Sequence, residues 1–202
     1  MPKKKSASPT YASAADAYCL KITLLQIKPP IWRRIQVPSS IKLCCLHSAF
    51  QVAMGWTDSH LHQFDMDGDS WGVPEYDECD DFELIDEGKN HLSDLLRSKG
   101  DTLIHVYDFG DDWRHEVVFE KIVPVTEQPK HPICLGGERR CPPEDVGGTH
   151  GYMEFLDAII DPKHEEHERM VVWGGGHFID QFDLEAANQK LRRMRWPIRH
   201  RL

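Results

Sequence analysis

Residues able to hold a cation or move a proton gather in a few short stretches of this sequence. The first runs from Tyr107 to His115 and places Asp108, Asp111 and Asp112 around a glycine, with His115 two residues beyond Trp113. Carboxylates and an imidazole at a strand end suit a divalent cation or a general base. A structural role competes: aspartates in such turns satisfy backbone donors, and His115 falls on the apolar side of its strand. The second stretch is the loop Cys134–Gly148. Cys134 and Cys141, with six residues between them, offer half of a zinc site that His131, His150 or His115 could complete. Zinc knuckles space their cysteines by two to four residues, so this wider spacing is a weak zinc signal and favours a rigid backbone corner at Pro142-Pro143 and Gly147-Gly148. Glu144 and Asp145 follow directly and could ligate or act as a base. The catalytic candidates are thus Asp108, Asp111, His115, Glu144 and Asp145.

The third stretch is His60-x-His62. A period of two puts both rings on one side of a strand, where they could chelate. Phe64 and Met66 share that side, which favours burial against a helix. The metal candidates are therefore Cys134, Cys141, His115, His60 and His62, with zinc or another divalent cation as the possible cofactor. His164-Glu-Glu-His167 spaces its histidines by three, not by the four of a metalloprotease helix, and reads as a solvated helix start. No phosphate-cradling loop, dinucleotide fingerprint or nucleophile elbow is present.

The elements that must position these residues follow from periodicity. Tyr18, Leu20, Ile22 and Leu24 alternate with polar neighbours, as do residues of Trp32–Val37, which predicts an antiparallel strand pair across Pro29-Pro30. Leu43, Leu46, Phe50 and Ala53 share one face of a helix that Ser39 or Ser40 would cap and Gly55 would end. His60–Met66 reads as a strand and His91–Arg97 as a short helix. Thr102–Asp108 and Trp113–Val123 form a hairpin through Phe109–Asp112. Residues 124–150, rich in proline and glycine, read as an ordered loop. Three helices follow: Tyr152–Ile160, one capped at Asp161, and one capped at Asp183. The fold class is α+β, with a mostly antiparallel sheet in the N-terminal part, helices packed on one side of it and a helical C-terminal part.

The chain has 202 residues and a net charge of −9, unevenly spread. Lys3–Lys5 form a basic start and Lys190, Arg192, Arg193, Arg195, Arg199 and Arg201 a basic end, so every acidic residue lies in the body between them. Residues 1–16 read as a disordered basic arm, 17–195 as a single domain and 196–202 as a basic tail. An acidic body repels a phosphate backbone, which leaves only the termini for weak nucleic-acid contact. Residues 75–87 hold eight acids and no base, and read as an exposed loop able to dock a basic protein partner. Trp56, Trp71 and Trp173 read as exposed aromatics beside it. No apolar run is long enough to span a membrane. The start of the chain lacks the apolar core of a secretory signal, so a cytoplasmic setting with reduced cysteines is expected.

Several strings are too distinctive for composition to explain. They include Trp32-Arg33-Arg34-Ile35-x-Val37-Pro38, Gln51-x-Ala53-Met54-Gly55-Trp56 and Tyr107-Asp108-Phe109-Gly110-Asp111-x-Trp113-x-His115. Cys134-Leu-Gly-Gly-x-Arg139-x-Cys141-Pro142-Pro143-Glu144-Asp145 and Asp161-Pro162-x-His164-Glu165-Glu166-His167 join them. Over about residues 18–195 the chain resembles the Ri-plasmid open-reading-frame-three family, whose members are also labelled TnpR-like passenger proteins of insertion elements. The resemblance implies an α+β fold and a link to plasmids or mobile elements, and supplies no activity. Some relatives carry a third cysteine where this chain has Val146, which argues against an obligatory zinc loop. A resolvase would need a Rossmann-like domain and a basic helix-turn-helix, neither of which this pattern offers.

Three functions remain open on these residues. The first is an accessory binding module acting through protein contacts. The second is a divalent-metal-dependent hydrolase using the 107–115 hairpin and the 134–148 loop. The third is weak nucleic-acid binding through the basic termini. Whether the chain is an enzyme depends on whether those two segments meet.

Overall fold

Eight strands form one sheet, ordered β5-β4-β3-β6-β7-β1-β2-β8, in a computed structural model that describes residues 16–74, 84–124, 131–176, 178 and 180–194. The strands are β1 Ala17–Leu24, β2 Trp32–Pro38, β3 His62–Met66, β4 Asp69–Gly72, β5 Ile85–Asp86, β6 Thr102–Tyr107, β7 Trp113–Val123 and β8 Ile133–Glu138. All pairings are antiparallel except β4 with β5. Five helices accompany the sheet: α1 Leu43–Met54, α2 Leu92–Leu95, α3 Gly148–Ile160, α4 His167–Trp173 and α5 Leu184–Arg193. The α+β class expected from the sequence is the observed one.

Alternation along the strands sorts the two faces of the sheet. Tyr18, Leu20, Ile22 and Leu24 of β1 and Trp113, His115, Val117 and Phe119 of β7 are buried, each almost completely. Phe50 of α1 meets Phe64 and His105, and Tyr152 of α3 meets Trp113 edge-on, so both helices cover the same face. The opposite face carries charge: Arg34 on β2 forks onto Glu120 on β7 at 2.7 and 2.9 Å.

Three local expectations are corrected. Residues 133–138 are not loop but β8, an edge strand on β2. Its Gly136 and Gly137 hid the strand signal. The side-chain amide of Asn188 on α5 bonds both the N–H and the C=O of Cys134, replacing the neighbour strand that the edge lacks. α1 begins on Lys42 without a side-chain cap rather than on a serine, and ends as expected on Gly55 at φ 113°. α4 begins six residues past the proposed Asp161 cap.

Most of the acidic 75–87 stretch lies outside the described residues. Its end does not match an exposed loop: Glu87 is 2% exposed. Trp56 and Trp71 are buried too, whereas Trp173 is about half exposed. The basic arm and tail also lie outside the described residues. No helix among those described is long and apolar enough to cross a membrane.

Arg33 shows how the core is tied to the site. It is buried, and its guanidinium donates to the carbonyls of Ala53, Met54, Trp32 and Glu138. Two of those carbonyls belong to the last turn of α1, whose negative end favours a cation. Burial pulls the Arg33 pKa down to about 10. Phe182 covers the guanidinium at 3.8 Å. The Arg33 hydrogen bonds tie the last turn of α1, just before Gly55, to β2 and to the end of β8.

Candidate functional site

The hairpin and the 134–148 loop meet. The Tyr107 hydroxyl at the end of β6 donates to the Glu144 carboxylate at 3.1–3.2 Å. Asp111 Oδ2 accepts from the Gly147 N–H at 3.1 Å. Contact is so close that a Cβ on Gly148 would stand 2.6 Å from the Asp111 carbonyl, and Gly148 also sits at φ 68°, so no other residue fits there.

His60 lies where the two segments join. Its Nε2 is 3.2 Å from Asp145 Oδ1, 3.6 Å from Asp108 Oδ2 and 4.0 Å from Glu144 Oε2. The nitrogen itself is shielded from solvent yet makes no hydrogen bond, because none of these contacts has hydrogen-bond geometry. His60, Asp108 and Asp145 each offer one ligand atom, all within 4.8 Å of one another. Asp145 is 72% exposed at the side chain, against 11% for Asp108, so the cluster opens to solvent on the Asp145 side.

Asp108 and Glu144 are each aimed by using an oxygen elsewhere. Asp108 Oδ1 accepts from the Gly110 and Asp111 N–H groups at 3.0 and 3.3 Å, which leaves Oδ2 facing His60. Glu144 Oε1 accepts from the Thr57 N–H and the Thr57 hydroxyl at 2.8 and 2.9 Å, which turns Oε2 toward the Tyr107 hydroxyl at 3.1 Å and toward His60. The Tyr107 hydroxyl in turn accepts from the Ser59 N–H at 3.0 Å. Burial and the neighbouring Glu144 carboxylate push the Tyr107 pKa up, so the phenol stays a donor. Asp108 and Asp145 both hold left-handed backbone at φ 57°, a conformation that costs other side chains more than aspartate.

The remaining candidates go elsewhere. Asp111 serves the backbone junction with Gly147, outside the His60 cluster. His115 is 1% exposed and packs in the core against His105 and Trp56. Burial pulls its pKa down to about 4. Cys134 and Cys141 are buried, and neither joins a histidine–carboxylate group among the described residues. Cys134 Sγ faces the Gly136 carbonyl, and Cys141 Sγ lies 3.2 Å from where a Cβ on Gly55 would stand. His131 bonds the Pro132 carbonyl and His150 is exposed beside Glu154, so neither completes a set with the thiols.

His62 parts from His60. Its Nε2 bonds Glu87 Oε2 at 2.9 Å, and its ring stacks on His47 of α1. Among the described residues, His47 and Asp58 form a second group able to gather around an ion, together with His62. Sequence reasoning passed over His47, Asp58, His105 and Glu87. His47 looked like one more residue of a buried helix, and Glu87 like the end of a charge run. The one available signal was that His105 and His115 both fall on inward positions of a paired hairpin.

Among proteins of known structure, the chain is similar to a protein of unknown function, MM3350, from Methanosarcina mazei Go1. The TM-score is 0.77 and the identity 39%, covering 86% of this chain and 97% of the other. It is also 38% identical over 174 residues to the uncharacterized protein y4hQ of Sinorhizobium fredii, covering 86% of this chain and 87% of that protein. The sheet, the His60 junction and the second histidine group all fall within residues 16–190, which match the model of the plasmid pRiA4b ORF-3-like proteins, and the chain belongs to that family.

Proposed function

We propose that the His60 cluster is a divalent-cation site, and that the protein is a metal-dependent hydrolase acting where the 107–115 hairpin meets the 134–148 loop. The observation that carries this reading is His60 Nε2. It is a buried nitrogen without a hydrogen bond, facing three carboxylate oxygens at 3.2–4.0 Å. Buried polar atoms are nearly always paired, so an orphan aimed into a ring of acids fits a missing positive partner. One imidazole with two or three carboxylates suits Mn²⁺ or Zn²⁺. A cation there would supply Lewis-acid charge on the solvent-open side. Glu144 is held by Thr57 through Oε1 and by the Tyr107 hydroxyl across both oxygens, and its Oε2 stands where it can take a proton from water.

The protein-contact reading draws on residues 75–83, outside the described residues, and its described end at Glu87 is buried against His62. The termini proposed for nucleic-acid contact lie outside the described residues as well. An insertion-element setting rests on the sequence resemblance alone. The cation reading is therefore the one supported by described geometry.

Calorimetric titration of the metal-stripped protein with Mn²⁺ and Zn²⁺ tests it. One site per chain is expected, with affinity lost in Asp108→Asn and in Asp145→Asn. Absence of binding by the wild type, or binding that survives both substitutions, overturns the reading.

A further inference from the structure

Next to the His60 cluster lies a second set of histidines that the proposed chemistry does not use. Tyr107 touches both, with ring centroids 6.2 Å from His47 and 5.9 Å from His60. Four contacts link the set. His115 Nδ1 is 3.0 Å from the His105 carbonyl oxygen and 3.4 Å from His105 Nδ1. His105 Nε2 is 2.9 Å from His47 Nδ1, and His47 Nε2 is 2.7 Å from Asp58 Oδ1.

Elementary donor–acceptor rules assign every proton in this set. A carbonyl oxygen only accepts, so His115 carries its hydrogen on Nδ1. A second N–H facing it at 3.4 Å would repel, so His105 Nδ1 is bare and His105 carries its hydrogen on Nε2. That hydrogen points at His47 Nδ1, which accepts, and a neutral His47 then carries its own on Nε2, donating to Asp58. All three rings are almost fully buried, which favours the neutral form.

The same assignment decides against a metal at His47, Asp58 and His62. His47 Nε2 is an N–H, not a lone pair. The His47 and His62 rings are 3.3 Å apart and within 3° of parallel, so their in-plane lone pairs run side by side and do not converge. His62 Nε2 is already bonded to Glu87.

We infer that His115, His105, His47 and Asp58 form a one-directional hydrogen-bond chain whose N–H groups all point toward the Asp58 carboxylate, and that this chain positions residues 57–60 and thereby His60. Successive residues of that segment serve the two clusters in turn. Thr57 bonds Glu144, Asp58 bonds His47 and takes Gln51 Oε1 on its N–H, Ser59 bonds Tyr107, and His60 faces the acids. Asp58 holds left-handed backbone at φ 60°, so the segment turns sharply at the residue the chain grips. Asp58 and His47 are positioning residues. Their effect on cation affinity rests on the site proposed above, whereas the direction of the chain does not.

The test has a cation-free and a cation-dependent arm, both on the full chain. Long-range ¹H–¹⁵N spectra at neutral pH should show Nε2–H on His47 and His105 and Nδ1–H on His115. A bare Nε2 on His47 overturns the chain. Asp58→Asn keeps an oxygen for His47 to donate to and tolerates left-handed backbone, whereas Asp58→Ala keeps neither. Hydrogen exchange at the Ser59 amide should quicken in Asp58→Ala and match the wild type in Asp58→Asn. With Mn²⁺, Asp58→Ala should bind about tenfold more weakly or worse, within the 10–100-fold known for outer partners of metal ligands, and Asp58→Asn should stay within about threefold. Equal Ser59 exchange in all three proteins overturns the positioning role. If the wild type binds no Mn²⁺, the cation site fails, and the spectra and Ser59 exchange still decide the chain.

Discussion

His60 and His62 stand two residues apart and belong to opposite kinds of chemistry. His60 faces three carboxylate oxygens with a nitrogen that makes no hydrogen bond, at the solvent-open mouth of the hairpin–loop junction. His62 is held by a buried carboxylate and stacked on His47, both of whose ring nitrogens have partners. The number of histidines and acids is similar in both regions. What separates them is what faces the nitrogens: both ring nitrogens of His47 are bonded and His62 Nε2 is bonded to Glu87, although His115 Nε2 and Glu87 Oε1 lack partners, whereas His60 Nε2 lacks a hydrogen bond and faces three carboxylate oxygens. A metal-type composition is therefore weaker evidence for a site than an unspent nitrogen that faces acids, as His60 Nε2 does.

Acid should break the comparison most forcefully, by attacking the closed group. Burial, with the neighbouring His62 adding to it, lowers the His47 pKa from 6.5 to about 4, and burial lowers that of His115 likewise. A histidine whose folded pKa is depressed leaves the unfolded chain holding more protons between the two values. Stability is then complete above pH 6.5 and falls as the pH drops toward 4. Each of these two groups contributes on the order of 3 kcal/mol to that fall. Urea denaturation between pH 7 and pH 4 should show the loss, and a flat profile would contradict neutral burial.

The next largest effect falls on the open group. His60→Ala should weaken Mn²⁺ binding by roughly a hundredfold or more, since loss of outer partners alone costs 10–100-fold. Its unfolding free energy should stay within about 1 kcal/mol of the wild type, because no hydrogen bond to Nε2 is lost. His105→Leu should do the reverse. It leaves His47 Nδ1 buried and unpaired, which costs about 2 kcal/mol in urea denaturation, with a smaller change in cation affinity. If the two variants behave alike, the two regions are one unit and the distinction fails. The smallest effect is expected at Asp112→Asn. Asp112 sits on the same hairpin but pairs only with exposed Arg114, and asparagine accepts its φ of 52°, so thermal denaturation should register under about 0.5 kcal/mol.

The hairpin of β6 and β7 and the antiparallel pair of β1 and β2 were legible because a two-residue period survives in any half-buried strand. The strand β8 was not, because Gly136 and Gly137 carry no side chains to alternate, and its pairing is enforced by β2 and by Asn188. Asp108, Glu144 and Asp145 were named from residue type as one catalytic set, and His60 apart from them as a metal candidate. His115 and Asp111 were placed with them on sequence proximity, and the structure turns His115 into the core and spends Asp111 on Gly147.

Residue type and local period thus determined the strands, most of the helices and a short roster of groups able to do chemistry, because those properties depend on neighbours a few residues away. Which of those groups share a pocket, which unpaired nitrogen faces acids and which histidines bond to one another were decided only by the tertiary structure. Those outcomes depend on contacts across 36 to 87 residues of chain, such as Gly147 with Asp111 and Thr57 with Glu144. Such contacts form wherever backbone packing brings donors and acceptors into register, and no local pattern in the chain encodes that register.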